Sequence, residues 1–147
     1  MIIYINNYLR EGKITQGKYN EKQIKSWIYC LNNALTKQIS NVSNGSTYYR
    51  GVSRKFPDNL GVGSKFLFGE FTSVSEDIQQ ALSFACGGTL FIIRIENNNS
   101  PYFYCRNITN LSHYKEEKEI LITYNCTFHI TKKEKDDKKI ISLRKYI

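Results

Sequence analysis

The sequence has no long apolar run. No stretch approaches the roughly 18 apolar residues that a transmembrane helix needs, so we expect no membrane partner. The apolar segment Met1–Ile5 ends at Asn6, which is too short for the apolar core of a signal peptide. We therefore expect a protein without a signal peptide, either cytoplasmic or secreted and delivered by a route that the sequence does not show.

Proline, methionine and tryptophan are also scarce, with two, one and one residues among 147. No segment is rich in Pro, Gly or Ser and no repeat is visible, so residues 1–147 are predicted to form a single domain. The four cysteines have no C-x-x-C spacing, and we expect no metal site. They could form two disulfides in an oxidising compartment or remain thiols.

Acidic residues are outnumbered by basic ones, 13 against 21, which leaves a net charge of +8. Residues 131–145 hold seven Lys or Arg and three acids, a surplus of +4 and half of the total. Such a surface attracts nucleic acid, anionic lipid or an acidic protein. It equally describes a solvated hairpin whose lysines protect an edge strand. Nucleic acid remains an alternative partner that charge alone supports.

A helical pattern dominates the first part of the chain. Apolar residues recur at i, i+3 and i+4 from Ile24 to Leu35, which predicts an amphipathic helix over 21–38. The polar stretch Asn41–Ser46 ends it. Residues 1–46 are therefore predicted to be mostly helical.

Beyond residue 46 the pattern changes to β-branched and aromatic runs, and residues 47–147 are predicted to be mostly β. One helix, capped by Ser75–Asp77 and ending near Cys86, interrupts the strands. A turn at Glu134–Lys138 separates the last two strands. This order predicts the α+β class. The predicted strands are Thr47–Val52, Phe71–Val74, Thr89–Ile95, Glu119–Thr123, Cys126–Thr131 and Ile140–Tyr146.

Polar side chains interrupt three of these segments. Arg50 lies within a strand, where a guanidinium can be aimed at phosphate or carboxylate. Ser73 and Ser75 lie at a strand-to-helix junction. Glu117 and Glu119 would project to one face of an extended segment, about 7 Å apart. Taken singly, each has an ordinary interpretation: an outward-pointing arginine, capping hydroxyls, and a charged loop that enters a strand.

Taken in order, the motifs are more specific. An aromatic-Arg-Gly strand, then Phe-Thr-Ser-x-Ser before a helix, then Glu-x-Glu before Ile-Leu-Ile resembles the Arg-Ser-Glu class of mono-ADP-ribosyltransferases. That family includes vertebrate ecto-ADP-ribosyltransferases and the catalytic parts of clostridial binary toxins. The resemblance runs from about Tyr48 to the C-terminus. It includes Phe84, eleven residues after Ser73, and Tyr114, three residues before Glu117.

The resemblance implies an ADP-ribosyltransferase-like split β-sheet, in which two packed sheets flank an NAD cleft, with N-terminal helices. NAD would be the co-substrate, and no metal is implied. Arg50 would hold its phosphate and ribose side, the backbone of Gly51 its carboxamide, and Phe84 would stack on the nicotinamide. The implied NAD-binding set is Arg50, Gly51, Ser73, Ser75, Phe84 and Glu119.

The implied catalytic set is Arg50, Ser73, Glu117 and Glu119. Glu119, fixed by Ser73, would stabilise the oxocarbenium-like charge that develops on the ribose. Glu117 and Tyr114 would recognise the acceptor, and a Glu at the place of Glu117 goes with arginine acceptors in this family. The implied partner is a target protein that bears an acceptor arginine, and the toxin relatives suggest a toxin or effector.

Two positions depart from the family pattern. Val74 stands where many relatives carry a hydroxyl, and Gly87 stands where some toxins place a basic residue towards the NAD phosphates. Alternatives within the same fold are an NAD glycohydrolase, with water as the acceptor, and a catalytically silent NAD-binding or interaction module. A nucleic-acid acceptor is the reading that uses the basic C-terminal segment.

Overall fold

A computed structural model describes residues 2–14, 17–36, 46–96, 105–107, 119–124, 126–134 and 139–146. Three helices and eight strands lie in these ranges. The helices are α1 (Ile2–Glu11), α2 (Glu21–Thr36) and α3 (Ile78–Ala85). The strands are β1 (Ser46–Val52), β2 (Lys65–Phe68), β3 (Thr72–Ser75), β4 (Thr89–Glu96), β5 (Cys105–Asn107), β6 (Glu119–Ile122), β7 (Cys126–Glu134) and β8 (Lys139–Tyr146).

The two N-terminal helices pack together on one flank of the sheet. Reciprocal hydrogen bonds begin α2: the Gln23 amide donates to Asn20 Oδ1 at 2.9 Å, and the Asn20 amide donates to Gln23 Oε1 at 3.0 Å. This is a capping box, which supplies acceptors to amides that the first turn leaves without intrahelical partners. The predicted helix over 21–38 is confirmed to Thr36, and residues 37–38 lie outside the described part. No helix in the described ranges is long and apolar enough to cross a bilayer.

The described strands form one eight-stranded sheet in the order β2-β7-β8-β4-β1-β3-β6-β5. Only the β4–β8 pairing is parallel. At the centre, β1 and β3 pair through a single position, Tyr49 opposite Ser75. The α+β class is therefore confirmed, with one refinement. The two predicted sheets are halves of a continuous sheet that nearly separates between β1 and β3.

Two apolar clusters hold this arrangement together. The larger lies along the sheet, where Ile93, Ile122 and Phe128 have no exposed surface. The smaller joins the helices to the segment before β3 through Ile5 and Phe71, each 2% exposed. Burial of such side chains contributes about 1.5–3 kcal/mol apiece. Because Phe71 immediately precedes β3, the second cluster fixes α1 close to the strand that carries Ser73.

Several predicted boundaries were wrong in detail. The short elements α1, β2 and β5 were not predicted, because ten, four and three residues carry too little periodicity to stand out. The N-cap of α3 is Asp77, whose Oδ1 accepts from the Gln79 amide at 2.9 Å, rather than Ser75. The Ser75 hydroxyl accepts from the Asp77 amide at 3.0 Å, which closes the preceding turn. Residues 135–138 of the predicted turn lie outside the described part.

Helix α3 lies against β1 at Gly51. A Cβ atom built on Gly51 would lie 1.7 Å from the Ala81 carbonyl oxygen and 2.7 Å from the Ala85 amide nitrogen. Both obstacles are backbone atoms of α3, which cannot rotate away as a side chain would. Glycine is therefore required here for the close approach of the helix, which determines the position of Phe84 relative to Arg50.

Replacement of this glycine should displace α3. We expect Gly51→Ala to lower the free energy of unfolding by more than about 2 kcal/mol, because the added methyl group overpacks a rigid contact. Thermal and denaturant unfolding measure the loss. Gly61→Ala is the matched control, since no atom lies within 4 Å of a Cβ at Gly61. Equal stability of the two variants would contradict the described packing.

Candidate active site

Arg50 lies on β1 at the junction of the two sheet halves. Its Nη1 donates to the Ser73 carbonyl oxygen at 2.9 Å, and its Nη2 lies 3.7 Å from Glu70 Oε1. The guanidinium carbon lies 5.9 Å from the centre of the Phe68 ring, within cation–π range. Burial lowers the pKa of the Arg50 guanidinium, and the negative charge of Glu70 opposes that shift. Among the described residues, nothing accepts a hydrogen bond from the buried Nε.

Ser73 and Glu119 lie on neighbouring antiparallel strands of the other half. The register places Ser75 opposite Glu119 and Ser73 opposite Leu121. Because side chains alternate along a strand, Ser73, Ser75 and Glu119 share one face, whereas Thr72 and Val74 point into the core. Ser73 Oγ donates to Glu119 Oε1 at 2.7 Å. The serine thereby orients the carboxylate, as the sequence predicted from this motif.

A cavity of about 410 Å³ lies between the two halves and α3. The Phe84 side chain is 56% exposed, an unusual state for a large apolar ring. All six residues of the predicted NAD-binding set line this cavity: Arg50, Gly51, Ser73, Ser75, Phe84 and Glu119. The predicted acceptor residues Tyr114 and Glu117 lie outside the described part. The cavity thus combines a guanidinium, an oriented carboxylate and an exposed aromatic ring.

The cavity continues into a second one of about 490 Å³, which shares Arg50, Gly51 and Phe84 with the first. This second cavity adds the cationic side chains of Arg10 and Arg54. A single groove therefore runs from the Glu119 carboxylate past three guanidinium groups. Such a groove suits an elongated ligand with a planar ring at one end and negative charge beyond it.

Glu70, Asn6 and Arg10 were not predicted as site residues. Glu70 is 6% exposed, and its Oε2 lies 3.1 Å from Arg10 Nη1. The Asn6 side chain bonds the backbone of Phe71 twice: Asn6 Nδ2 donates to the carbonyl oxygen at 3.2 Å, and the Phe71 amide donates to Oδ1 at 3.1 Å. The one sequence signal was an acid between Phe68 and Phe71, in a segment that is otherwise aromatic and apolar.

A family model described as NAD:arginine ADP-ribosyltransferase matches residues 1–146. The chain belongs to this family. The resemblance drawn from the three motifs is thereby confirmed, and it extends over the N-terminal helices as well. No curated protein matches the chain.

Solved ADP-ribosyltransferases share the fold. Vis from Vibrio splendidus, in complex with agmatine, superposes with a TM-score of 0.75 at 22% identity, over 97% of this chain and 67% of that one. Exoenzyme S from Pseudomonas aeruginosa, bound to human 14-3-3 protein beta and carba-NAD, gives 0.73 at 17%, over 95% and 64%. A mutant of the eukaryotic mono-ADP-ribosyltransferase ART2.2 in complex with NAD gives 0.68 at 27%, over 97% and 58%.

These comparisons confirm the ADP-ribosyltransferase-like fold. In its complex with an inhibitor, Vis superposes with a TM-score of 0.75 at 23% identity, and this chain spans 64% of its length. The two proteins thus share their fold over a segment shorter than the whole relative. In the described ranges no group of three or more His, Cys, Asp or Glu side chains is arranged to hold a metal ion.

The Asn6 side chain is expected to hold α1 against the segment before β3. Asn6→Ala would remove both partners of the Phe71 backbone, and an unsatisfied buried polar group costs about 1–3 kcal/mol. We expect a loss of about 2 kcal/mol in the free energy of unfolding, measured by denaturant titration. Asn59→Ala, at an exposed asparagine, is the control and should change stability little. A negligible loss in Asn6→Ala would show that α1 is held by apolar contacts alone.

Proposed function

We propose that the chain is a mono-ADP-ribosyltransferase that transfers ADP-ribose from NAD to an arginine side chain of a target protein and releases nicotinamide. The observation that carries the proposal is the convergence of Arg50, Ser73 and Glu119 on one cavity from three separate strands. Membership of the NAD:arginine ADP-ribosyltransferase family supports it.

NAD fits the described groove by its chemistry. Its pyrophosphate is anionic and would lie along Arg10, Arg50 and Arg54, which supply charge-assisted hydrogen bonds. The nicotinamide ring would stack on the exposed ring of Phe84, with its carboxamide bonded by the backbone of Gly51. The buried Arg50 Nε is a further donor for which no described residue provides an acceptor. The complexes of ART2.2 with NAD and of exoenzyme S with carba-NAD support the same ligand here.

Cleavage of the bond between nicotinamide and ribose develops positive charge on the sugar as the neutral nicotinamide leaves. The Glu119 carboxylate, held at 2.7 Å by the Ser73 hydroxyl, would stabilise that charge and bond the ribose 2′-hydroxyl. Two opposite charges about 4 Å apart interact by about 4 kcal/mol at an effective dielectric constant of about 20. That energy corresponds to roughly a thousandfold in rate. Glu119 is therefore the residue on which the chemical step depends most.

The acceptor would attack the anomeric carbon from the open side of the cavity. In our proposal Glu117 binds or deprotonates a guanidinium there, and Tyr114 contributes to recognition of the target protein. The complex of Vis with agmatine, a small guanidinium compound, supports a guanidinium acceptor. Water in the same position would make the protein an NAD glycohydrolase. That alternative uses the same Arg50, Ser73 and Glu119, and it predicts free ADP-ribose without modified protein.

Several related structures are toxins, including Vis and an ADP-ribosylating component of a binary enterotoxin of C. perfringens. They support a role for this chain as a toxin or effector that acts on a protein of a recipient cell. In that role it would reach its target by delivery, whereas a cytoplasmic enzyme would modify a protein of its own cell.

Removal of the Glu119 carboxylate should abolish both activities. Glu119→Ala is expected to lower transfer to polyarginine and NAD hydrolysis by about a thousandfold or more, because the developing ribose charge loses its counter-charge. Labelled NAD, with polyarginine or lysate as acceptor, gives both rates. The exposed Glu76 provides a control, and Glu76→Ala should retain both activities. Near-normal turnover in Glu119→Ala would contradict the assignment.

Glu117 offers a test of the acceptor. Glu117→Gln should reduce transfer to arginine at least tenfold more than it reduces NAD hydrolysis, because ribose activation by Glu119 remains while the group that engages the guanidinium is neutralised. Transfer and hydrolysis are measured in the same reaction, as labelled protein and free ADP-ribose. Parallel loss of the two activities would exclude a role for Glu117 in acceptor binding. A wild-type protein that forms only free ADP-ribose would favour the glycohydrolase.

A further inference from the structure

Glu70 is a buried charge that the proposed chemistry does not use. Its two carboxylate oxygens engage different arginines: Oε2 lies 3.1 Å from Arg10 Nη1, and Oε1 lies 3.7 Å from Arg50 Nη2. The Glu70 side chain is 8% exposed, whereas those of Arg10 and Arg50 are 42% and 20% exposed. The carboxylate therefore lies beneath the groove, and the two guanidinium groups lie nearer to its surface.

This placement has an electrostatic consequence. Two guanidinium groups on one wall of a groove repel each other, and burial already disfavours the charged form of Arg50. A buried carboxylate between them offsets both effects. Without it, Arg50 would keep its bond to the Ser73 carbonyl oxygen but lose the only described anion beside it. The guanidinium would then gain hydration by turning towards solvent.

The same segment is held from a second direction. Asn6 lies one helical turn before Arg10 on α1, so both residues are on one helix face. Asn6 bonds the backbone of Phe71, and Arg10 pairs with Glu70, its neighbour in sequence. Helix α1 therefore grips residues 70–71 twice, directly before the strand that carries Ser73.

We propose that Glu70 is a positioning residue for NAD binding: its carboxylate holds Arg50 of β1 and Arg10 of α1 at the spacing and orientation that an anionic dinucleotide requires. The inference rests on the proposed function. It gives α1 a role in the site, because Arg10 faces the groove only where Glu70 holds it. Glu70 itself touches neither the ribose nor the acceptor.

Neutralisation of Glu70 should weaken NAD binding far more than the chemical step. We expect Glu70→Gln to raise the Kd and KM for NAD about tenfold, equivalent to about 1.4 kcal/mol, while kcat stays within about twofold. Glu70→Asp keeps the charge, although one methylene shorter, and should raise the Kd by no more than about threefold. Calorimetric titration with NAD and steady-state kinetics provide these values. Glu76→Gln, at an exposed acid, is the matched control and should match the wild type.

A second measurement tests the positioning without NAD. In nitrogen-15 spectra the Arg50 Nε–H signal, assigned by its disappearance in Arg50→Lys, should exchange slowly with water because Nε is buried. Glu70→Gln should accelerate that exchange at least tenfold, and Glu76→Gln should leave it unchanged. If Glu70→Gln proves too unstable to study, Glu70→Asp should show a smaller acceleration in the same spectra.

The outcomes separate this inference from the proposed function. Wild-type protein that binds no NAD would overturn the proposed function and the inference that rests on it, even with accelerated exchange in Glu70→Gln. Unchanged NAD affinity and unchanged exchange in Glu70→Gln would overturn the role of Glu70 alone. A fall in kcat at unchanged KM would also overturn it, because the carboxylate would then support the Ser73–Glu119 pair rather than the arginines.

Discussion

The site depends on the narrow junction between β1 and β3, where the two halves of the sheet are joined by one pair of residues, Tyr49 and Ser75. A fully paired sheet would close this position, and fully separate sheets would leave its two sides without a fixed relation. Instead, Arg50 crosses the junction by donating to the Ser73 carbonyl oxygen. That one bond ties the guanidinium side of the cavity to the strand whose serine orients Glu119.

A continuous series of contacts extends from this junction to the N-terminal helices. Glu70 joins Arg50 to Arg10, and Asn6 satisfies the backbone of the neighbouring Phe71, which is itself buried in the smaller apolar cluster. The helices are therefore part of the site's construction rather than an appendage to the sheet. Buried ionic and polar groups of this kind contribute more to the uniqueness of a geometry than to stability, because desolvation offsets most of their attraction.

Prediction from sequence succeeded where local pattern is strong. The strands over Thr89–Glu96 and Cys126–Glu134 and the helix from Glu21 are long enough for their apolar period to be recognised. It failed for the four-residue strand Lys65–Phe68, which owes its conformation to pairing with β7. The cap of α3 was placed at Ser75 rather than Asp77, because both residue types cap helices well and only the backbone path distinguishes them.

The sequence by itself determined the α+β composition and the residue types of the site, since strand alternation puts Ser73, Ser75 and Glu119 on one face whatever surrounds them. The motif order was also sufficient for the family. Only the tertiary structure decided that Glu70 lies between Arg10 and Arg50, that Asn6 reaches Phe71 across 65 residues, and that α3 packs on Gly51. Local propensity depends on neighbours a few residues away, whereas these contacts exist only after helices and strands distant in sequence have packed.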